Sequence, residues 1–276
     1  MEFTLHNLSS TEGMKEIGNN TINLIITSPP YWDLKDYKNN NQLGLGMTYE
    51  FYMDLLKKNL YECVRVLKND SFCVINVADI RRRLSKSEEC RPKIFSLHCD
   101  IIKYFESMGL ELFTHYIWNH KINHVANKVY GAKSKIGDDL YVYPPYIYSE
   151  LSIEHILVFR KGGPIRKLPK PLHRRVDKFK LKEIASWLQP IWTINSTKSS
   201  LHPATFPEEL VERLIYLFSI TGDTILDPFC GTGTTLKVAK KLKRSCIGYE
   251  LNYSYIEPLI KDWKMSKNNN SYTLKI

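Results

Sequence analysis

The sequence predicts one α/β fold built on a mostly parallel sheet. Three observations carry this expectation: short β-branched apolar runs halted by Pro or Gly, amphipathic helical stripes between them, and a glycine-rich turn leading from a strand into a helix. Ile22–Thr27 is such a run, stopped by Ser28-Pro29-Pro30, and Thr224–Asp227 is another, stopped by Pro228-Phe229-Cys230-Gly231. Similar runs occupy Phe72–Val77, Leu112–Trp118, His155–Phe159 and Ser245–Tyr249. Between them, Tyr49–Leu67 sets Phe51, Leu55, Leu56, Leu60, Val64 and Leu67 on one stripe. Phe95–Met108 and Glu208–Phe218 read likewise, with Pro207 expected at the first helical position of the latter. A further helix is expected over Leu236–Leu242.

The core is expected to come chiefly from the two ends of the chain, 1–78 as one half and 201–276 as the other. Residues 79–200 read as a mixed region, with core strands near 110–118 and 154–160 set among polar insertions. These are Asp79–Arg91, His120–Tyr148 and Gly162–Ser200. Long, weakly periodic stretches of this kind carry function more often than packing.

With 276 residues, 43% hydrophobic and 25% charged, the chain is globular rather than disordered or collagen-like. The formal charge of +10 favours a polyanionic partner. Three stretches, opened by Arg81-Arg82-Arg83, over Lys121 to Tyr148 (rich in Lys, Asn, Gly and Tyr) and over Arg166 to Lys182, together suit phosphate tracking; the last contains Lys167, Arg174 and Arg175. No run approaches the about 18 apolar residues of a membrane span. Six cysteines lie without a CxxC pair or ligand spacing, which points to a reduced, cytoplasmic protein without a metal.

Two motifs carry chemistry. In Asp227-Pro228-Phe229-Cys230-Gly231-Thr232-Gly233-Thr234-Thr235, glycines at a strand-to-helix turn let a ligand approach the backbone and the free amides of a helix N-terminus. The string is neither a P-loop nor a complete dinucleotide fingerprint, since Leu236 stands where the third glycine belongs. Glu250, ending the next strand, can accept hydrogen bonds from ribose hydroxyls. A nucleoside without phosphates fits this set, and S-adenosylmethionine is the common cofactor of that kind. The second motif, Thr27-Ser28-Pro29-Pro30-Tyr31-Trp32, ends the other strand. Both would face one crevice if the two strands are neighbours at a topological switch point.

Together, TSPPYW and DPFCGTGTT resemble the amino-group DNA methyltransferases, which methylate N4 of cytosine or N6 of adenine. A third segment, His202-Pro203-Ala204-Thr205-Phe206-Pro207-Glu208-Glu209-Leu210, is similar to that family's HPAxFPxEL string beside the cofactor's methionine portion. The catalytic motif precedes the cofactor motif, the permuted order of the β class. The resemblance implies a Rossmann-like methyltransferase sheet, mostly parallel with an antiparallel hairpin, carrying inserted DNA-recognition segments. It implies S-adenosylmethionine held by Asp227, Phe229, Gly231, Gly233, Thr234, Thr235, Glu250, His202, Pro203 and Phe206. It further implies double-stranded DNA as partner, contacted by Arg81, Arg82, Arg83, Arg166, Lys167, Arg174 and Arg175. Ser9 and Asn23 stand where relatives often carry Asp, and Pro144-Pro145-Tyr146 follows no buried strand and reads as a decoy.

An exocyclic amino nitrogen is a poor nucleophile because its lone pair is delocalised into the ring, so the site must hold both amino hydrogens. The resemblance assigns the two acceptors to Ser28 Oγ and the Pro29 carbonyl, on a loop stiffened by Pro29 and Pro30. Tyr31 would stack on the flipped base. C5-cytosine chemistry needs a Cys nucleophile, typically in a Pro-Cys pair, and the chain has none. Asp33 and Asp36 could drain the proton or simply solvate the loop, and Trp32 could support the loop or meet DNA. Ser at the first motif position, with Trp after the Tyr, accompanies N4-cytosine specificity in the family. A hydroxyl can accept from the amino group and donate to cytosine N3, whereas a carboxylate only accepts. The expectation is therefore an N4-cytosine enzyme of a restriction-modification system, in which a cognate endonuclease is an allowed partner. An N6-adenine enzyme with an atypical Ser and a silent DNA-binding module are the alternatives; monomer and homodimer both stay open.

Overall fold

The computed structural model describes residues 1–82, 92–120, 130–136, 139–148, 151–167, 178–196, 206–265 and 271–275. The first half of the chain gives β1 (Phe3–His6), α1 (Ser10–Gly13), β2 (Ile22–Thr27), α2 (Tyr49–Val66) and β3 (Leu67–Val77). The middle gives β4 (Ile80–Arg82), β5 (Lys93–Phe95), α3 (Leu97–Ser107), β6 (Leu110–His120), β7 (Tyr130–Ile136), β8 (Asp139–Tyr148) and β9 (Ile153–Lys161). Then come α4 (Lys178–Trp187), β10 (Ile191–Ile194), α5 (Glu208–Phe218), β11 (Thr224–Asp227), α6 (Thr234–Lys241), β12 (Ser245–Tyr249), α7 (Tyr253–Trp263) and β13 (Tyr272–Lys275).

Nine strands form one sheet in the order β10-β6-β9-β3-β2-β11-β12-β1-β13. Every pairing is parallel except those of β9, which runs antiparallel to both β3 and β6. Alternate residues of the central strands bury opposite faces, as the period-2 pleat requires. Leu24, Ile26, Ile156 and Val158 pack under α5, α6 and α7, while Ile25, Leu157 and Phe159 pack under α2 and α3. Both faces being covered explains the unbroken apolar runs. On α2, Tyr52, Met53, Leu56, Leu60, Cys63 and Val66 are buried, each large apolar side chain contributing about 1.5–3 kcal/mol. Thr48 caps this helix by accepting the Phe51 amide.

The strands β2, β11 and β12 and the helix α5 begin and end where the sequence pattern places them. Pro207 does not open α5 from within: its extended backbone (φ −63°, ψ 134°) makes it the cap, one residue earlier than expected. The middle of the chain contributes more core than composition suggested. Besides β6 and β9, it supplies β10, a sheet edge lying inside the segment assigned to target recognition. Trp192 on β10 is almost fully buried and stacks on Tyr116 at 4.5 Å. Pro144-Pro145-Tyr146 lies on β8 of the separate β7–β8 hairpin.

The order fixes where a ligand can bind. From β2 the chain crosses through α2 to β3 on one side, and from β11 it crosses through α6 to β12 on the other. β2 and β11 are parallel neighbours, Ile225 opposite Leu24 and Leu226 opposite Ile25, so the switch point falls between them.

Candidate active site

Both motifs sit at the carboxyl ends of these two strands, and a buried carboxylate joins them. Asp227 Oδ1 accepts from Thr27 Oγ1 at 2.9 Å and from the Phe229 amide at 3.1 Å; its Oδ2 accepts from Thr235 Oγ1 at 2.6 Å. Burial pushes the Asp227 carboxyl up to about 6, and those three donors oppose the shift. Asp227 thus clamps the residue before Ser28 to the glycine turn. Gly231 (φ 52°) and Gly233 (φ 79°) both use the left-handed region, and a Cβ on Gly233 would lie 2.4 Å from Leu259.

A cavity of about 940 Å³ opens over this junction, lined by Ser28, Pro30 and Tyr31 on one side and by Phe229, Gly231, Thr234 and Glu250 on the other. Glu250 is oriented by two amides, Gly231 N to Oε2 at 3.0 Å and Asn252 N to Oε1 at 2.8 Å. Each oxygen keeps acceptor capacity for a ligand hydroxyl. Burial pushes this carboxyl up to about 7 against the pull of those amides. Phe206 also lines the cavity, whereas His202 and Pro203 lie outside the described residues. Leu34 to Leu43 supply a further wall, tied to the start of α7 by Asn252 Nδ2 donating to the Tyr37 carbonyl at 2.8 Å.

Behind the Ser28–Tyr31 loop lies a polar network that no local pattern announces. Tyr31 Oη stands 2.7 Å from Ser28 Oγ and donates to Glu154 Oε2 at 2.6 Å. Asn76 Nδ2 donates to Tyr31 Oη at 2.8 Å and to the same Glu154 oxygen. His120 Nε2 is 3.0 Å from Glu154 Oε1 but outside hydrogen-bonding angles; it and Asn76 Oδ1 are buried without a hydrogen-bond partner. Burial, then the Glu154 charge, holds the Tyr31 phenol far above its ordinary value. Asn76 and His120 lie at the carboxyl ends of β3 and β6 and Glu154 at the start of β9, all at the same edge of the sheet, and they meet only because β9 runs antiparallel.

These features belong to a known protein family. The sequence model of the DNA methylase family, the N6 and N4 methyltransferases, matches residues 22–262. This chain is a member of that family. Type II methyltransferase M.MjaI of Methanocaldococcus jannaschii is 33% identical over 279 residues, covering 90% of this chain and 87% of that one. Type II methyltransferase M.MthZI of Methanothermobacter thermautotrophicus is 31% identical, covering 88% and 71%. Among solved structures, the Thermus thermophilus protein TTHA0409 complexed with S-adenosyl-L-methionine superposes with a TM-score of 0.73 at 28% identity, covering 99% of this chain and 97% of that one. The cytosine-N4-specific PvuII DNA methyltransferase shares the fold at TM-score 0.66 and 19% identity, over 100% and 95% of the two chains.

The remaining expected site residues of this methylase fall in several places. Pro29 is buried, and the Pro30 carbonyl accepts from Tyr52 Oη at 2.7 Å. Trp32 supports the loop: its ring is buried beside Tyr49 and Phe95, and Nε1 donates to the Met47 carbonyl at 2.8 Å. Asp36 is engaged by Lys38 and Gln42 on the exposed loop. Asp33 pairs with Arg82, whose Nε donates at 2.9 Å, so Arg82 ties β4 to the loop that follows Tyr31. The Arg166 guanidinium grips the buried Asp223 (2.9 Å) just ahead of β11, at the end of the sheet opposite the cavity. Asn23 is likewise at that end, accepting from the Thr224 amide. Arg81 belongs to β4, Lys167 is exposed, and Arg83, Arg174 and Arg175 lie outside the described residues. Asp79, His98 and His155 also cluster with metal-ligating atoms together. The two imidazoles stack in parallel at 3.9 Å and 5°, which sets their lone pairs in separate planes and suits a hydrogen-bonded stack rather than a chelate.

Proposed function

We propose that this DNA methylase transfers a methyl group from S-adenosylmethionine to N4 of a cytosine flipped out of duplex DNA, as the modification enzyme of a restriction-modification system. The observation that carries the reading is the shared cavity: Ser28 and the Gly231 turn line it together, clamped by the Thr27–Asp227 hydrogen bond. The donor set fits this cofactor. Glu250 offers acceptors for ribose hydroxyls, Phe229 and Phe206 offer apolar contact, and Lys35 is the one Lys or Arg among the described residues of the lining, so no phosphate clamp is built. When bound, the cofactor supplies an electrophilic methyl group on a sulfonium.

The chain's own residues do the rest. Ser28 Oγ and the Pro29 carbonyl take the two amino hydrogens, which turns the nitrogen toward tetrahedral geometry and frees its lone pair. No covalent enzyme intermediate is needed: Cys230 is buried with its thiol pushed up by burial. The base assignment follows from the resemblance: serine rather than Asp in the motif, with Trp32 after Tyr31, accompanies N4-cytosine specificity in the family. Incubating the protein with labelled cofactor and duplex DNA, then digesting and weighing the modified nucleoside, tests the reading. N4-methylcytosine is expected; N6-methyladenine would replace the base assignment, and no label in DNA would overturn the enzymatic reading.

Two further results are expected. A ribose hydroxyl donates to a carboxylate but competes with a carboxylic acid's own proton. Since burial pushes the Glu250 carboxyl up to about 7, cofactor affinity should rise with pH through that value and fall as pH drops toward 5. Glu250→Gln should remove this pH dependence and weaken binding about 10- to 100-fold, the loss of a charge-assisted hydrogen bond. Calorimetric titrations between pH 5 and 8 check both, and a pH-independent wild type would contradict the assigned role. DNA binding should also weaken steeply with salt, log K falling by about 0.9 per phosphate neutralised per decade of salt. A flat dependence would remove the role proposed for Arg81, Arg83, Lys167, Arg174 and Arg175.

A further inference from the structure

We propose that Glu154 is the positioning residue of this site: by accepting the Tyr31 hydroxyl it turns Ser28 into a pure acceptor aimed at the target amino group, and it receives the proton that group sheds. The inference rests on the methyl-transfer reading and deepens it.

The argument is an accounting of one proton. Tyr31 Oη has one hydrogen and two lone pairs, and four polar atoms surround it: Ser28 Oγ, Glu154 Oε2, Asn76 Nδ2 and the Asn76 backbone carbonyl. The Glu154 carboxylate can only accept, and at 2.6 Å it takes the phenol hydrogen in preference to the Asn76 carbonyl at 3.3 Å. The Asn76 amide can only donate through Nδ2, and its sense is fixed because the same Nδ2 faces the carboxylate. That leaves one lone pair on Tyr31 and one neighbour, Ser28 Oγ at 2.7 Å, which must therefore donate. Ser28 has a single hydrogen. With it committed to Tyr31, both Ser28 lone pairs remain, on an atom that borders the cavity. Asn76 keeps this sense even though its Oδ1 stays buried and unpartnered. The expected donation from Ser28 to cytosine N3 is replaced by this order, since the hydroxyl hydrogen is already engaged.

The same chain balances the reaction. As the nitrogen–methyl bond forms and the sulfur–methyl bond breaks, the amino nitrogen becomes cationic and must lose one proton. That proton passes to Ser28 Oγ, the Ser28 proton to Tyr31 Oη, and the Tyr31 proton to Glu154, which ends as a carboxylic acid. Removing the carboxylate frees Tyr31 to donate to Ser28, and the Ser28 hydrogen then turns toward the amino group it should accept from.

The test uses the full chain with S-adenosylmethionine and duplex DNA. Single-turnover transfer should fall about 100-fold in Glu154→Ala, with cofactor Kd and DNA KM changed less than about threefold. Glu154→Gln keeps an acceptor oxygen but cannot take the proton, and should lose transfer as well. Tyr31→Phe cuts the chain, so the double variant with Glu154→Ala should be no slower than either single one. A readout independent of turnover is the Tyr31 phenol: in protein carrying 13Cζ-tyrosine, assigned through Tyr31→Phe, it should titrate at lower pH in Glu154→Gln than in wild type. Transfer by Glu154→Ala at the wild-type rate, additive losses, or an unmoved Tyr31 titration would each overturn the proposal. A wild type that labels no DNA overturns the functional reading, while the Tyr31 titration still judges the hydrogen-bond order.

Discussion

Replacing Ser28 by Ala is expected to lower methyl transfer about 100- to 1,000-fold, the usual consequence of deleting one preorganised hydrogen-bond partner of a reacting group. Ser28 begins the loop beyond β2, which is locked in the sheet on both sides, so the substitution leaves the strand in place. The residues proposed to hold the cofactor, Phe229, Gly231 and Glu250, line the cavity on the side across from Ser28. Cofactor Kd should therefore stay within about twofold, and the loss should appear in kcat. Equal losses in cofactor affinity and kcat would place Ser28 in the cofactor site; a wild-type kcat would remove the amino-acceptor mechanism altogether.

The second large effect is expected far from any reacting atom. Gly44 has φ +106°, and a Cβ there would stand 2.2 Å from the Trp32 carbonyl oxygen and 2.9 Å from its Cα. Those are backbone atoms of the residue that follows Tyr31, and Trp32 itself sits at φ 45°. Its indole nitrogen is bound to Met47, three residues past Gly44. The two arms of this loop therefore cannot separate without shifting Tyr31. Gly44→Ala should cost at least about 2 kcal/mol in stability from backbone strain alone, a drop of roughly 4–8 °C in Tm. It should also reduce methyl transfer more than it reduces cofactor binding. Thermal unfolding and single-turnover rates on the same preparation check this; an unchanged Tm would mean that the loop relaxes freely around position 44.

Much of the fold was legible because burial on both faces writes itself into local pattern. Ile22–Thr27 and Thr224–Asp227 read as strands for that reason, and the helix Glu208–Phe218 for its apolar stripe. The glycine turn after β11 was legible because its two glycines answer a local backbone demand. The basic clusters were less informative, since charge alone does not distinguish a phosphate contact from an ion pair. Arg82 and Arg166 found Asp33 and Asp223, partners distant in sequence. β10 escaped notice because four residues at a sheet edge carry too short a period to stand out.

From its residues alone the chain declared the two motifs, the strands that carry them and the family they resemble, because each depends on neighbours within a few positions. That those motifs share a cavity was decided by strand order, which places β2 beside β11 across about 200 residues of chain. Glu154 became part of the site only when β9 entered the sheet antiparallel and brought its first residues to the carboxyl edge beside Tyr31. Hydrogen-bond direction, and with it the role of Ser28, is a property of that three-dimensional neighbourhood: a hydroxyl donates or accepts according to what surrounds it, and its own letter in the sequence is the same in either case.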